Sequence, residues 1–359
     1  MTASDRRRDP AGNGVARRSL PEFTRRIYMP HTIAAIVAEM AEEGHEPSLV
    51  LEGTGVAPEQ LGCHTTKVSY RDLDRVIRNT IALSNNAAIA LQAGLRMHIT
   101  AYGMYGYALL SSATRAEARA FAAKYIRAVG PCCDFTVASD DVSATITFDP
   151  IYWPDPTDRA HQFAIEFALA AHLTATRDWA GSHFAFSRVR LDYAAPSHAP
   201  TYATIFECDV VFRQRNCGFE RPKEDGRVRL ADPRSHAIAR EMCEQLLEEV
   251  NRTGGVTAEI RRILVEQPGR YTNIQTMAER LQMHPRALRR KLEMEGASYR
   301  DVLAEVRTRL AMEYLRKTHM TIEEIAGLVG YSDAANFRHA FIRWTGKSPS
   351  SFRKATRLE

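Results

Sequence analysis

The feature that most constrains this chain of 359 residues is an internal repeat near its C-terminal end. Two segments match in residue character, and the spacing between partners grows from 48 to 50 positions along the segment. The matched positions, each followed by its partner, are Met277 and Ile325, Ala278 and Ala326, Leu281 and Val329, Met283 and Tyr331, Leu288 and Phe337, Leu292 and Phe341, Gly296 and Gly346, and Ser298 and Ser348. Two copies of one small helical unit explain these matches better than chance does.

Each copy has the spacing of a helix-turn-helix. The small side chains of Ala278 and Ala326 let the first helix of each copy approach the second closely. A further apolar pair at i and i+4, Leu288 and Leu292 in the first copy, turns the inner face of the second helix toward a core. Gly330 suits the turn of the second copy, because glycine adopts left-handed backbone angles freely. We therefore predict two helix-turn-helix units.

Capping residues mark where the helices of the two copies should begin. Thr272 with Gln275 and Thr321 with Glu324 both fit the pattern in which a Thr and a Gln or Glu three residues later cap a helix reciprocally. Pro285 falls where proline is tolerated in a first helical turn. The sequence thus predicts helix starts at equivalent places in both copies.

The outward face of each second helix is where DNA contacts are expected. Arg pairs bidentately with guanine in the major groove, and Asn suits adenine. The exposed set expected in the first unit is His284, Arg286, Arg289 and Arg290, and that in the second is Ala335, Asn336, Arg338, His339 and Arg343, with Lys347 after the helix. An ordinary solvated basic helix is the alternative, but it must also explain two copies with one geometry.

A continuous apolar stripe joins the two units. Its residues are Val302, Leu303, Val306, Leu310, Tyr314 and Leu315. A helix of about 18 residues is about 27 Å long. It would hold the two second helices roughly one turn of DNA apart, so that both enter successive major grooves.

Charge and pattern divide the chain into regions. Residues 257–359 carry 19 Lys and Arg against 12 Asp and Glu, a net +7, whereas the whole chain is +5, so the preceding residues are net negative. We predict a DNA-binding domain over 257–359, a linker over 251–256, an effector-binding and dimerisation domain over 30–250, and a flexible basic tail over 1–29.

The region 30–250 mixes helical and strand patterns. Alternating apolar residues over Val142–Phe148 predict a half-buried strand, with Cys133–Val137 as its hairpin partner. A buried helix is expected over His161–Thr174 and another helix over Ala237–Val250. Further strands are expected over Phe184–Tyr193, Val210–Phe212 and Cys217–Phe219. The predicted fold class is an α/β (α+β) N-terminal domain followed by an all-α domain with two helix-turn-helix units joined by a linker helix.

Membrane spans, a secretory signal and zinc-type cysteine spacings are not expected. The apolar runs are far shorter than the roughly 18 residues that a spanning helix needs, and no apolar segment follows the early arginines. The six cysteines show neither a CxxC nor a Cys/His zinc spacing. We therefore expect reduced thiols, a cytoplasmic location, no metal and no cofactor.

These residues resemble a known family. GYSDAANFRHAFIRWTGKSPSSFR, residues 330–353, is similar to the signature of the AraC/XylS transcription regulators, and LQMHPRALRRKLEMEG, residues 281–296, resembles their first recognition element. The resemblance covers about 95 residues and implies a seven-helix domain that binds double-stranded operator DNA. It assigns base contacts to Arg286, Arg289, Arg290, Asn336, Arg338 and His339. The chain departs from the family at Ala334 and Ala335, where many members carry polar or bulky residues.

The body resembles the arabinose-binding-type N-terminal domain found in part of that family. The matching segments are YGMYGYALLSSATRAEARAFAAKYIRA, residues 102–128, FECDVVF and NCGFERP. The resemblance implies a homodimeric regulator that contacts RNA polymerase and is an activator more often than a repressor. It also implies a response to a small-molecule effector of unknown identity. Tyr102, Tyr105 and His161 are the pocket candidates, since aromatic residues with polar tips are common in ligand sites.

Two other interpretations remain open. An enzyme would need a site in the body, where the candidate residues are His161, His172, His183, Asp155, Asp158 and Glu166, but no catalytic motif accompanies them. A nucleic-acid-binding protein without an effector would need only positive charge, and the repeated helix-turn-helix argues against it. Cys132 and Cys133 are adjacent, which suits either an oxidant sensor or, more simply, two buried thiols.

Overall fold

The computed structural model describes residues 23–223, 226–252, 255–295 and 297–356. The helices are α1 His31–Glu42, α2 Pro47–Val50, α3 Tyr70–Leu83, α4 Ile89–Leu95, α5 Met104–Ser111, α6 Arg115–Tyr125, α7 Arg159–Ala180, α8 Ala199–Phe206, α9 Pro233–Arg252, α10 Gly255–Glu266, α11 Ile274–Arg280, α12 Pro285–Met294, α13 Tyr299–Lys317, α14 Ile322–Leu328, α15 Ala334–Thr345 and α16 Pro349–Thr356. The strands are β1 Cys133–Ser139, β2 Ser143–Pro150, β3 Arg188–Arg190, β4 Asp209–Val211 and β5 Cys217–Pro222. Short 3-10 turns lie at Pro58–Gly62, Ile99–Tyr102 and Ile126–Val129.

One mixed sheet organises the N-terminal domain. Its strand order is β1-β2-β5-β3-β4, with β3 and β4 parallel and the other neighbours antiparallel. The β1–β2 hairpin pairs Val137 with Ile146, which confirms the hairpin that the alternating pattern predicts. Along β2 every second residue is buried, because that face packs against helix α7.

Helix α7 is the central helix of this domain. It begins at Arg159, where Asp158 caps it, and runs for 22 residues beneath the sheet. Helix α4 packs against it so closely that a Cβ at Gly94 would lie 2.5 Å from the carbonyl oxygen of Phe167. Glycine is therefore required at position 94 by the approach of the two helices.

The expected strand over Phe184–Tyr193 is shorter than its pattern suggests. Only Arg188–Arg190 pairs with neighbouring strands. Phe184 and Phe186 are buried, but they pack as an aromatic cluster beside the sheet instead of extending a ladder. Apolar alternation cannot distinguish these two ways of burying the same side chains.

The N-terminal domain begins before the boundary predicted at residue 30. Residues 1–22 of the predicted tail lie outside the described part of the chain. Within the described part, Tyr28 forms a bridge with Val68, and Arg26 forms an ion pair with Asp72 at 3.0 Å. Residues 23–29 therefore belong to the folded domain and not to the tail.

The C-terminal domain has its own core, separate from those of the N-terminal domain. It contains α10 to α16, seven helices among the described residues. The carboxylate of Glu295 accepts hydrogen bonds from the backbone amides of Val256 and Thr257, each at 2.9 Å, and so caps the start of α10. No helix in the described ranges is both long enough and apolar enough to cross a membrane.

Candidate DNA interface and effector cavity

The first helix-turn-helix consists of α11, a turn and α12. Met277, Leu288 and Leu292 are buried in its core. The backbone turns at Gln282, which has a φ of 53°. Pro285 lies in the first turn of α12, as its position predicts. Helix α12 therefore lies at the surface of the unit, with its apolar face packed against the core.

The start of α11 differs from the capping pair predicted at Thr272 and Gln275. Asn273 is the capping residue, and its side-chain oxygen accepts a hydrogen bond from the Thr276 amide at 3.0 Å. Asn is a stronger helix cap than Thr, so the preference of the capping residue itself favours Asn273, and the reciprocal pattern of Thr272 with Gln275 does not override it.

The second helix-turn-helix repeats this geometry in α14 and α15. Thr321 and Glu324 cap α14 reciprocally, which confirms the predicted pair. Gly330 turns the chain with a φ of 85°, 48 positions after Gln282. The two copies therefore share a left-handed residue at the same place in the turn, which a glycine adopts more easily than a glutamine.

The outward face of α12 is basic. Arg286, Arg289 and Arg290 are all exposed. His284 is exposed as well, but its Nδ1 accepts a hydrogen bond from the Arg286 amide and caps the helix. In this structure His284 therefore orients the helix start, while the three arginines present their guanidinium groups to solvent.

The outward face of α15 carries shorter and partly engaged side chains. Asn336 donates to Asp333 at 2.5 Å, and Arg338 forms an ion pair with Glu323 at 3.3 Å. His339 and Arg343 are exposed. Surface ion pairs of this kind are weak, so Arg338 can exchange Glu323 for another anion at small cost.

Lys347 lies in a different place from the rest of the predicted DNA-binding set. Its ammonium group is 3.2 Å from Asp155 of the N-terminal domain and also contacts Thr157. In this arrangement Lys347 joins the two domains. No sequence pattern could reveal this, because its partners are about 190 residues away.

Helix α13 also contacts the N-terminal domain. Arg309 donates to the Ile151 carbonyl at 3.2 Å. Arg316 lies 3.3 Å from both Asp149 and Asp192. The helix that joins the two DNA-binding units is thus held to the body by two arginines.

His161 is buried beneath this contact. Its two ring nitrogens face the Trp153 carbonyl at 2.6 Å and Asp192 at 3.0 Å, both of them acceptors, so the ring donates twice when it carries two protons. Burial opposes ionisation of Asp192, but His161, Cys217 and Arg316 together hold its pKa below the usual value.

His161, Asp192 and Cys217 form a cluster whose donor atoms all lie within 4.8 Å. These residue types can bind zinc. However, hydrogen bonds already join them, because Cys217 Sγ lies 3.0 Å from the Asp192 carboxylate and burial raises the pKa of this thiol. The Arg316 guanidinium beside Asp192 also repels a cation, so an ion-pair network accounts for the cluster.

A cavity of about 360 Å³ opens in the N-terminal domain between α6, α7 and the β1–β2 hairpin. Tyr102 and Tyr105 line it, whereas His161 does not. The lining is largely apolar and aromatic, with Phe135, Phe148 and Trp179 among its rings. Its size falls in the range of small-molecule sites, about 300–1,000 Å³.

Histidine and cysteine side chains on the cavity wall are uncharged at neutral pH. Burial, with a contribution from Arg221, lowers the pKa of His172 to about 4. Burial raises the pKa of Cys132 to about 12 and that of Cys133 well above its usual value. Protonated thiols react slowly with oxidants, which fits the interpretation of Cys132 and Cys133 as buried thiols.

The other residues considered for an enzyme are dispersed. His183 is exposed, with Nε2 3.5 Å from Arg115, and Asp158 caps α7. Glu166 lies in a separate buried group, where it accepts from His198 at 3.0 Å and contacts Tyr202. These side chains do not converge on one site with His161.

Comparison with known proteins agrees with this architecture. The family described as "Arabinose-binding domain of AraC transcription regulator, N-term" matches residues 44–230, and a helix-turn-helix domain family matches residues 277–355. The ornithine utilization regulator of Pseudomonas aeruginosa is 32% identical over 335 residues, which cover 93% of this chain and 98% of that protein. This chain belongs to the AraC family of transcription regulators.

Two further regulators are also similar to this chain. The uncharacterized HTH-type transcriptional regulator Rv1395 of Mycobacterium tuberculosis is 28% identical, over 88% of this chain and 94% of that protein. The solved structure of the regulator CdpR from Pseudomonas aeruginosa is 23% identical with a TM-score of 0.46, over 90% of this chain and 98% of that one. The predicted family and fold class are confirmed, and the protein is a DNA-binding transcriptional regulator of the AraC family.

Sequence reasoning about this AraC-family regulator missed the basic residues of the cavity. Arg115 and Arg119 come from α6, and Arg221 and Lys223 come from the end of β5 and the residues after it. More than 100 residues of chain separate the two pairs, so spacing along the sequence gave no sign of them. The available signal was Arg221 in β5, because an arginine in a half-buried strand needs a polar neighbour.

Proposed function

We propose that this regulator reads operator DNA with both helix-turn-helix units and that a small molecule in the cavity of the N-terminal domain controls it. The observation that carries the proposal is the pair of units with equivalent left-handed turns at Gln282 and Gly330. Each unit presents an exposed helix face, and α13, about 28 Å long at 1.5 Å per residue, separates them by about one turn of DNA.

The proposed base contacts come from α12 and α15. Arg286, Arg289 and Arg290 suit guanine edges, whereas Asn336, with Arg338 and His339, suits a site that includes adenine. Arg343 and His284 contact the DNA backbone beside these bases. Lys347 can contact DNA only if its ion pair with Asp155 breaks. The exposed α12 arginines support the first set, and the weak ion pair of Arg338 supports the second.

The effector acts through elements that the cavity and the α13 contact share. Phe148 and His172 line the cavity, whereas Asp149 is the next residue of β2 and His161 lies on α7. Asp149 contacts Arg316 directly, and His161 contacts it through Asp192. A ligand that shifts β2 or α7 therefore changes how α13 is held, which is the differential contact that allosteric control requires.

The remaining elements of the proposal follow from the family. The N-terminal domain forms a homodimer, the protein activates transcription through RNA polymerase, and it works in the cytoplasm. Two tethered DNA-binding domains raise their effective concentration at paired half-sites. The P. aeruginosa relative is named for ornithine utilization, so L-ornithine is one effector to test on this chain.

The test is binding-site selection with the full chain, followed by titration of the selected DNA with and without candidate effectors. The proposal expects an enriched sequence and a change in DNA affinity when an effector binds. A variant with Asp149→Asn and Arg316→Met should bind the effector but lose its influence on DNA. If the selection enriches no DNA sequence, the proposal of sequence-specific DNA binding is wrong. If an effector binds without changing the affinity for DNA, the proposed coupling between the cavity and α13 is wrong.

A further inference from the structure

A second cavity in the N-terminal domain is small and polar. It has a volume of about 170 Å³ and lies between α3, α7 and the residues that precede α8. Thr80, Gln162, Glu166 and His198 supply polar side chains to its lining. Among the described residues, none lines both this cavity and the apolar effector cavity. We call the second cavity the polar pocket.

Glu166 brings a carboxylate to the polar pocket from within α7. Its side chain is only 2% exposed. Gln162 donates to its Oε1 at 2.7 Å and His198 at 3.0 Å, and the Tyr202 hydroxyl donates to the same oxygen. Because all three hydrogen bonds end on Oε1, the second oxygen, Oε2, keeps its capacity to accept from a ligand.

Two further polar atoms of the pocket residues are buried and unmatched. Oγ1 of the fully buried Thr80 and Nδ1 of His198, whose side chain is 9% exposed, have no hydrogen-bond partner among the described residues. The His198 ring stacks on Tyr202, and it does not cap α8. Nε2 of this ring donates to Glu166, so Nδ1 of the neutral ring is an acceptor. Buried polar atoms without partners are rare in native proteins, so both atoms indicate a ligand.

The three atoms that remain to be matched share one chemistry, because each can accept a hydrogen bond. They are Oε2 of Glu166, Nδ1 of His198 and Oγ1 of Thr80. A primary ammonium group carries three N–H donors, has no acceptor and neutralises a carboxylate. A metal ion fits less well, since in the described chain the side chains that come together as possible metal ligands are His161, Asp192 and Cys217, outside this pocket.

The charge of the lining reverses between its buried and its exposed end. Arg159 lines the pocket, is exposed, and lies seven residues before Glu166, about 10 Å along α7 at 1.5 Å per residue. The two share one face of the helix with Gln162, because positions i, i+3 and i+7 lie above one another. A ligand with an ammonium group at one end and a carboxylate at the other has its charges in the matching order.

We propose that the polar pocket binds a short ω-amino acid. The ammonium group donates to Glu166, His198 and Thr80, and the carboxylate pairs with Arg159 at the surface. At about 30 Å³ per group, 170 Å³ holds about six non-hydrogen atoms, which is the size class of β-alanine and 4-aminobutyrate. This site is additional to the effector cavity, and it can be filled whatever that cavity holds.

The experiment is isothermal titration of the full-length protein with four probes. 4-Aminobutyrate represents the proposed ligand class, butylamine lacks its carboxylate, and butyrate lacks its ammonium group. 4-(Trimethylammonio)butyrate keeps both charges but has no N–H donor. We expect 4-aminobutyrate to bind at least about tenfold more tightly than butyrate and the trimethyl compound, which lose the charge-assisted hydrogen bonds. It should bind about threefold more tightly than butylamine, whose missing contact is to an exposed arginine.

Variants test whether the binding is in the polar pocket. Thr80→Val keeps the shape of the side chain without its hydroxyl and should weaken 4-aminobutyrate binding about threefold to tenfold. The thermal midpoint of this variant without ligand should not fall, because the hydroxyl that it loses has no hydrogen-bond partner among the described residues. Thr176→Val, at a buried threonine that lines the effector cavity, is the matched control and should leave this binding unchanged. Arg159→Gln should weaken the binding of 4-aminobutyrate but not that of butylamine.

Three results would each overturn the proposal. If 4-aminobutyrate does not bind, ordered water satisfies the unmatched atoms and the pocket is not a ligand site. If 4-(trimethylammonio)butyrate binds as tightly as 4-aminobutyrate, the pocket does not recognise N–H donors. If Thr80→Val and Thr176→Val have equal effects on the binding, the ligand lies elsewhere. Sequence selection on DNA by the full chain, which tests the regulator, does not depend on any of these results.

Discussion

Arg316 in the helix between the two DNA-binding units lies 3.3 Å from the carboxylate of Asp192 in the N-terminal domain. The Asp192 side chain is only 5% exposed, and it also accepts a hydrogen bond from the fully buried His161. A charge pair of this kind is costly to break from one side, because the remaining charge stays away from water. The contact between the domains therefore centres on this pair.

Replacing Arg316 should weaken the contact between the domains. In Arg316→Met, the buried Asp192 carboxylate loses one partner, and we expect the free energy of unfolding to fall by about 1–3 kcal/mol. A double-mutant cycle with Asp192→Asn should show a coupling energy of about 1 kcal/mol or more. Arg262→Met, at an exposed arginine paired with two glutamates, is the control and should cost little. If the effects of the two substitutions on the free energy of unfolding are strictly additive, Arg316 and Asp192 do not interact.

Replacing an arginine on α12 should change sequence preference. Arg290→Ala removes an exposed guanidinium from the proposed base-reading face, and we expect a loss of about 1–3 kcal/mol in binding and a relaxed preference at one or two base pairs. Site selection with the variant measures this directly. Arg262→Ala is again the matched control. If Arg290→Ala leaves the sequence preference unchanged, Arg290 does not contact bases and contacts the DNA backbone instead.

Two half-buried histidines should make the fold sensitive to acid. Burial lowers the pKa of His31 to about 4, and burial with the neighbouring Arg221 does the same for His172. Unfolded histidine titrates near 6.5, so in the window from pH 6.5 to about 4 the unfolded chain binds protons that the folded chain excludes. Stability is therefore intact above that window and falls as the pH is lowered through it, by up to about 3 kcal/mol for each histidine.

The measurement is the thermal midpoint as a function of pH. His172→Phe should flatten the acid limb of the curve, because phenylalanine can pack in the same aromatic cluster without titrating. His64→Asn, at an exposed histidine, should leave the curve unchanged. If the plot of thermal midpoint against pH for His172→Phe superimposes on that of the unmodified protein, His172 does not contribute to the acid sensitivity.

The C-terminal domain should fold and bind DNA without the rest of the chain. A fragment of residues 255–359 keeps the separate core and the Glu295 cap of α10, which a start at residue 257 would damage. Its DNA affinity should fall with salt at a slope of about −0.9 per phosphate contacted. The fragment should bind paired half-sites more weakly than the full chain. Equal affinity of both proteins would mean that the N-terminal domain does not dimerise them.

Much of this architecture follows from local pattern. Alternation over Val142–Phe148 predicted β2, and the apolar stripe from Val302 to Leu315 predicted α13. The helix-turn-helix units followed from a repeat of Ala278 and Ala326 with their apolar partners. In each case neighbours in sequence carry the signal, because one face of a helix or strand must be buried.

The parts that sequence did not predict depend on contacts between distant residues. Lys347 meets Asp155, and Arg316 meets Asp192, across more than 100 positions. Arg115 and Arg221 line the same cavity, although 106 positions of the chain separate them. The cap of α11 is a local difference: Asn273 takes the place predicted for Thr272, because Asn is the stronger capping residue of the two.

The central claim is that two helix-turn-helix units of unequal chemistry read DNA together, and a mutational scan of the selected operator with the full chain tests it most directly. The exposed arginines of α12 and the shorter Ala335 and Asn336 of α15 predict two peaks of sequence preference in each half-site, of unequal height and about one helical turn apart. Arg290→Ala should lower the higher peak alone. A single peak, or two peaks that both respond to Arg290→Ala, would contradict the account.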